Sequence, residues 1–179
     1  MGDESVARSI FIKALESSSP KNFMHKHCRI EGDILIFEDT TYDLSKYKNL
    51  YIFGSGKAAY TMAKEMENIA GDKIYKGLIV SPYDEGELQK IEVMLGSHPI
   101  PSQMSIDAAT ALSEMMSECD ANDLYIYLLS GGSSSMLELP ISPIDLKDLQ
   151  ETTALMLRHN LEIHEINCVR KHLSKVKGG

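Results

Sequence analysis

The stretch Leu50-Tyr51-Ile52-Phe53-Gly54-Ser55-Gly56-Lys57-Ala58-Ala59 constrains the fold more than any other part of the chain. Leu50 to Phe53 are all large and apolar, which predicts a strand buried on both faces, as in a parallel sheet. Gly54 and Gly56 follow at once and let the backbone turn tightly. Ala58, Ala59, Met62, Ala63, Met66 and Ile69 then recur at helical spacing. Strand, glycine turn and helix leave unpaired N–H groups and the positive end of a helix dipole at the turn, which suits an anion. Lys57 adds a full positive charge there. The plain alternative is a tight turn carrying a solvated lysine.

The same alternation continues along the chain. Val6, Ile10, Phe11, Ala14 and Leu15 mark an amphipathic helix, ended by Ser17-Ser18-Ser19-Pro20. Cys28 to Phe37 reads as a hairpin around Gly32-Asp33. Tyr75–Val80, Ile91–Leu95 and Leu124–Leu129 are further strands, and Met104, Ala108, Ala111, Leu112 and Met115 mark a helix. Ser142-Pro143-Ile144-Asp145 reads as a helix start with Ser142 as N-cap. From Glu162 to Lys177 a helix is expected to carry Ile163, Ile166, Val169, Leu173 and Val176 on one face and Asn167, Arg170, Lys171 and Ser174 on the other. The expected fold is α/β: a Rossmann-like three-layer αβα sandwich with a mostly parallel sheet, helices on both faces and a small N-terminal β-hairpin, forming one domain over residues 1–179. Ligands in such sheets sit beyond the carboxyl ends of the strands.

At that edge a second loop stands out. Leu124–Leu129 runs straight into Ser130-Gly131-Gly132-Ser133-Ser134-Ser135, where glycines allow close backbone approach and hydroxyls offer uncharged donors. A Gly/Ser cluster is more often only a turn, but two anion-ready loops on one sheet edge are far less often accidental than one. The net charge of −8 argues against nucleic acid as a partner. No apolar run approaches the ~20 residues of a membrane helix, and the acidic N-terminus shows no secretory signal. Cys28, Cys119 and Cys168 form no C-x-x-C, so no disulfide framework is expected and a cytoplasmic setting is. His25-Lys26-His27-Cys28 has no second ligand pair, so it reads as a surface stretch before the hairpin, with no metal site. Beyond Cys168 the chain carries Arg170, Lys171, Lys175 and Lys177 and no acid. Such an end is usually a solvated helix face, and it can also wall an anion site.

Known phosphate motifs fit poorly. A Walker A loop fails because Tyr51 stands at its first glycine and Ala58 at its magnesium-binding hydroxyl. Gly54-x-Gly56-x-x-Ala59 matches a dinucleotide fingerprint, but the acid expected ~20 residues on is missing, Asp84 coming late. His98 beside Pro99 is open to a role as base or as a structural residue, and His164 on the last helix reads as a capping or packing residue and not a catalytic one.

Gly54-Ser55-Gly56-Lys57-Ala58-Ala59, His98-Pro99-Ile100-Pro101, Leu129-Ser130-Gly131-Gly132-Ser133-Ser134, Leu137-Glu138-Leu139-Pro140 and the run His164 to Ser174 together resemble the class II (MOFRL-type) glycerate 2-kinases, also called hydroxypyruvate reductase-like proteins. The resemblance runs from the first helix to Gly179. It implies ATP-dependent phosphorylation of D-glycerate to 2-phosphoglycerate with Mg2+, at a cleft between two α/β domains. Lys57 matches the family's catalytic lysine. Gly54, Ser55, Gly56, His98, Ser130, Gly131, Gly132, Ser133, Ser134, Asn167, Arg170 and Lys171 are implied to bind substrate and phosphate, and no metal ligand is implied in this chain. Ser133, Ser97 and Ser102 depart from the family pattern, where a glycine, a glycine and an acid are usual. The family continues for more than this length again, so the resemblance implies an N-terminal part, inactive alone, whose partners are D-glycerate and the missing C-terminal domain. Apolar surface near Met136, Leu137 and Leu139 is then expected to be exposed or covered by a homodimer contact. The alternatives are an NAD(P)-dependent hydroxypyruvate reductase and a non-catalytic half that binds an anion or a partner polypeptide.

Overall fold

The computed structural model describes residues 2–178. Its centre is a parallel four-stranded sheet made of β4 (Leu50–Ser55), β5 (Ile74–Ser81), β6 (Ile91–Leu95) and β7 (Leu124–Leu129), in the order β6-β5-β4-β7. From β4 the chain steps outward through β5 and β6, then returns to place β7 on the other side of β4. The loops leaving β4 and β7 therefore flank a point where the strand order reverses, the crevice in which such sheets bind ligands.

The alternation of side chains along the strands builds two cores. On one face Ile52, Ile79 and Leu128 pack with Ala59, Tyr60, Ala63 and Met66 of α3 (Ala59–Ala70). On the other, Tyr51, Phe53, Leu78 and Val80 pack with Ala108 and Leu112 of α4 (Gln103–Ser117) and with Met136 of the short helix α5 (Ser133–Met136). The fold is thus α/β with helices on both faces of a parallel sheet. Ile52 is fully buried, so Ile52→Val is expected to lower the unfolding free energy by about 0.5–1.5 kcal/mol, read from the midpoint of a urea melt at unchanged slope.

Several local details differ from the sequence reading. The N-terminal helix α1 (Gly2–Ser18) forms, but Val6, Ile10, Phe11 and Leu15 are exposed. Pro20 does not merely end it; with Ser19 as N-cap it opens α2 (Pro20–His27). His25 of α2 meets the buried Glu65 of α3 at 2.8 Å, and Met24 enters the first core. The hairpin β1 (Cys28–Glu31) and β2 (Ile34–Phe37) gains a third antiparallel strand, β3 (Thr40–Asp43). The helix expected from Ser142 begins later: α6 (Leu146–Arg158) is capped by Asp145, whose carboxylate accepts from the Asp148 N–H while the Asp148 carboxylate accepts from the Asp145 N–H. Helix α7 (Ile163–His172) stops short of Lys177 because the chain beyond it pairs with the segment after α5. Its inward face is Ile166, Arg170 and, just past its end, Ser174, while Ile163, Val169 and Val176 are exposed. Met136, expected on an exposed face, is fully buried. No helix among the described residues is long and apolar enough to cross a membrane.

Candidate functional site

The turn after β4 does not keep its donors free. The Gly56 N–H donates to the Val80 carbonyl at 3.0 Å, the Lys57 N–H to the Gly131 carbonyl at 2.8 Å and the Ala58 N–H to Ser130 Oγ at 3.0 Å. The donors of the expected anion nest are therefore taken up within the protein, by Val80 of β5 and by the second loop. That second loop has the opposite pattern. Its carbonyls and the Ser130 hydroxyl are accepting, while no described residue accepts from the N–H groups of Gly131, Gly132, Ser133 and Ser134. The first loop is the support and the second is the one that presents donors.

Lys57 and His98 meet over this second loop. Gly132 has φ +92°, and a Cβ built there would fall 2.8 Å from His98 Cδ2 and 3.1 Å from Lys57 Cε. Three residues singled out in the sequence, from three different loops, thus converge on one spot, with Lys57 and His98 both open to solvent. A tethered ammonium, an imidazole and backbone donors suit a carboxylate or phosphate. Ser97 and Ser102 hold the loop that carries His98. Their hydroxyls bond to each other at 2.5 Å, and Ser105 Oγ accepts from both backbone N–H groups, at 3.4 and 3.2 Å.

The hydroxyls of Ser55 and Ser133 are structural, while Ser134 is exposed. Ser55, fully buried, bonds through Oγ to the Tyr127 hydroxyl at 2.7 Å and to Ser133 Oγ at 2.5 Å. Burial pushes the Tyr127 phenol above its ordinary range, with the Ser55 bond pulling the other way. Tyr127 was not singled out in the sequence, where it reads as one more aromatic strand residue. From α7, Arg170 Nη2 donates to the Ser134 carbonyl at 2.8 Å and lies 3.4 Å from Glu138 Oε2. Lys177 Nζ donates to the Leu137 carbonyl at 2.6 Å and lies 2.8 Å from Glu138 Oε1. Burial pushes the Lys177 ammonium pKa down, against the opposing pull of Glu138. Asn167 and Lys171 are exposed and make no hydrogen bond to either loop. Glu138 stood in the sequence only as part of the Leu137–Pro140 motif and Lys177 only as part of the basic end, with no role given to either.

The donor set fits an anion and does not fit a metal ion. Among the described residues no three His, Cys, Asp or Glu side chains gather, and Glu138, the carboxylate bonded into this region, is taken up by two cations.

Residues 6–179 match a family model described as a domain of unknown function, DUF4147. The chain is 41% identical over 126 residues to a D-glycerate 2-kinase of Thermotoga maritima, covering 69% of this chain and 30% of that protein. It is 36% identical over 168 residues to a glycerate 2-kinase of Pyrococcus horikoshii, covering 93% of this chain and 37% of that protein. A crystal structure of a Pyrococcus horikoshii protein superposes with a TM-score of 0.86 at 34% identity, covering all of this chain and 40% of that one. The chain thus spans well under half the length of the relatives it matches.

Proposed function

Because the chain belongs to the DUF4147 family and fits the N-terminal part of the class II glycerate 2-kinases, we propose that it supplies one side of the active site of a D-glycerate 2-kinase. The observation that carries this reading is the meeting of Lys57 and His98 over Gly132, beside four backbone donors that have no acceptor among the described residues. Phosphoryl transfer asks little covalent chemistry of the protein; it asks for positioning and neutralisation of charge. In this reading the Gly131–Ser134 N–H groups hold carboxylate or phosphate oxygens. Lys57 neutralises charge on the transferring phosphoryl group, and His98 hydrogen-bonds the substrate from the opposite loop. ATP is the phosphoryl donor. The described residues do not fit Mg2+, so no step is assigned to the ion here. The rest of the site belongs to the second domain that the relatives' greater length accommodates.

The same geometry disfavours a nicotinamide reductase. A dinucleotide fingerprint needs free N–H groups for a pyrophosphate, and those of Gly56, Lys57 and Ala58 are bonded internally. Titration with NADH or NADPH is expected to give no fluorescence enhancement; micromolar binding would overturn the ranking. A coupled assay for ADP release with D-glycerate, ATP and magnesium tests the kinase reading. We expect no turnover from the 179-residue chain and turnover once a separately expressed second part is added. Turnover by the chain alone would refute a two-sided site.

A further inference from the structure

Glu138 is 1% exposed, and the side chains of its two cationic neighbours, Arg170 and Lys177, are each 11% exposed. A carboxylate this deep is costly without partners, so the cluster has to do something that apolar packing would not. Its contacts show what it holds. Arg170 uses one nitrogen for both Ser134, the end of the donor loop, and Glu138, beyond the other end of α5. Lys177 adds the Leu137 carbonyl. The Glu138 N–H donates to the Ser105 carbonyl at 3.2 Å, which ties the cluster to α4. The far side is pinned as well, because Lys175 donates to the Leu139 carbonyl at 2.8 Å and Ile141 to that of Leu173 at 3.1 Å.

We propose that Glu138 and Arg170 form a clamp that positions the Gly131–Ser134 donors, so that Arg170 serves the site as a positioning residue and does not touch substrate. The inference rests on reading that loop as the anion seat. A guanidinium is the side chain able to bridge a carbonyl and a carboxylate with fixed geometry. Glu138 neutralises it and keeps it turned inward, away from the ligand. If Arg170 were instead a substrate contact, Glu138 would compete with the substrate for it, and removing the carboxylate charge would free it to bind.

Amide hydrogen exchange on the chain decides this. The Lys57 N–H bonds to Gly131 and the Leu137 N–H to Ser133, so these two amides report whether the loop is held from both sides. In Glu138→Gln and in Arg170→Met their exchange is expected to quicken by about tenfold or more relative to the core amide of Ile79. Arg170→Lys, which keeps the charge, should recover part of that loss and stands in should Glu138→Gln fail to fold. No change at either amide, or an equal rise at Ile79, would overturn the clamp. Titration with inorganic phosphate, followed at the Gly131–Ser134 amides, supplies the second arm. Glu138→Gln should weaken binding by about tenfold; unchanged or tighter binding would make Arg170 the ligand contact and sink the proposal. A wild-type loop indifferent to phosphate would remove the anion-seat reading, while the exchange comparison would still decide the clamp.

Discussion

Lys57→Ala is expected to lower the kcat of glycerate phosphorylation by about 10²–10³-fold, the usual loss when one group that stabilises developing charge is removed. The side chain is exposed and packs against nothing that the core needs. Its structural duty is carried by the backbone N–H, which donates to Gly131 at 2.8 Å whatever the side chain. The variant should therefore melt within ~0.5 kcal/mol of the parent. Lys57→Arg is not a conservative change here. Lys57 Cε runs 3.1 Å from where a Gly132 Cβ would stand, and a planar guanidinium needs more width than an ammonium. The measurement is kcat and KM by coupled ADP release, in a protein carrying this chain together with the second part found in its relatives, alongside a thermal melt. Retained turnover in Lys57→Ala would leave Lys57 a solvated side chain and shift the chemistry to the loop donors.

What could be read in advance was local or periodic. Leu50–Ala59 announced a buried parallel strand and its helix, and four apolar strands alternating with helical spacing announced the sheet. Both glycine loops were visible as loops, and Lys57, His98 and Gly132 were visible as candidates. Which loop keeps its donors was not visible. That depends on pairings such as Gly56 with Val80 and Lys57 with Gly131, between residues far apart in the chain. Helix α7 shows a different failure. Its apolar stripe placed Ile166 inward correctly but also Ile163, Val169 and Val176, which are exposed, because part of the buried side is set by Glu138, a distant carboxylate that draws in Arg170 and Lys177. A desolvated ion pair with a fixed carbonyl partner can outweigh two exposed aliphatic side chains, Ile163 and Val169, in orienting a ten-residue helix. Strand β3 left no pattern because three of its four residues are exposed, and α2 is too short and too polar for helical periodicity to register.

Gly56→Ala is expected to destabilise the chain by about 3–5 kcal/mol, a strained backbone and an overpacked contact acting together. Gly56 has φ +123°, a conformation that L side chains rarely adopt, and its Cβ would lie 2.7 Å from the carbonyl carbon of Ser130. That neighbour is backbone, so it cannot rotate away. It can only be displaced, and Ser130 is held by its own N–H on Ser55 at 3.0 Å and by the Ala58 N–H on its hydroxyl. Gly32→Ala separates the two causes. Gly32 also has positive φ, at +62°, but its Cβ would meet nothing within 4 Å. It should cost about 1–2 kcal/mol, the left-handed penalty alone. Urea melts of both variants give the comparison directly. Equal losses would mean that the two loops are not in close backbone contact. A Gly56 loss well above that at Gly32 would mean that the support loop and the donor loop are one rigid unit, in which Lys57 and the Gly131–Ser134 N–H groups cannot move independently. A residue at position 56 would then impair anion binding even where the protein still folds, because the loop it pushes aside is the one that presents the donors.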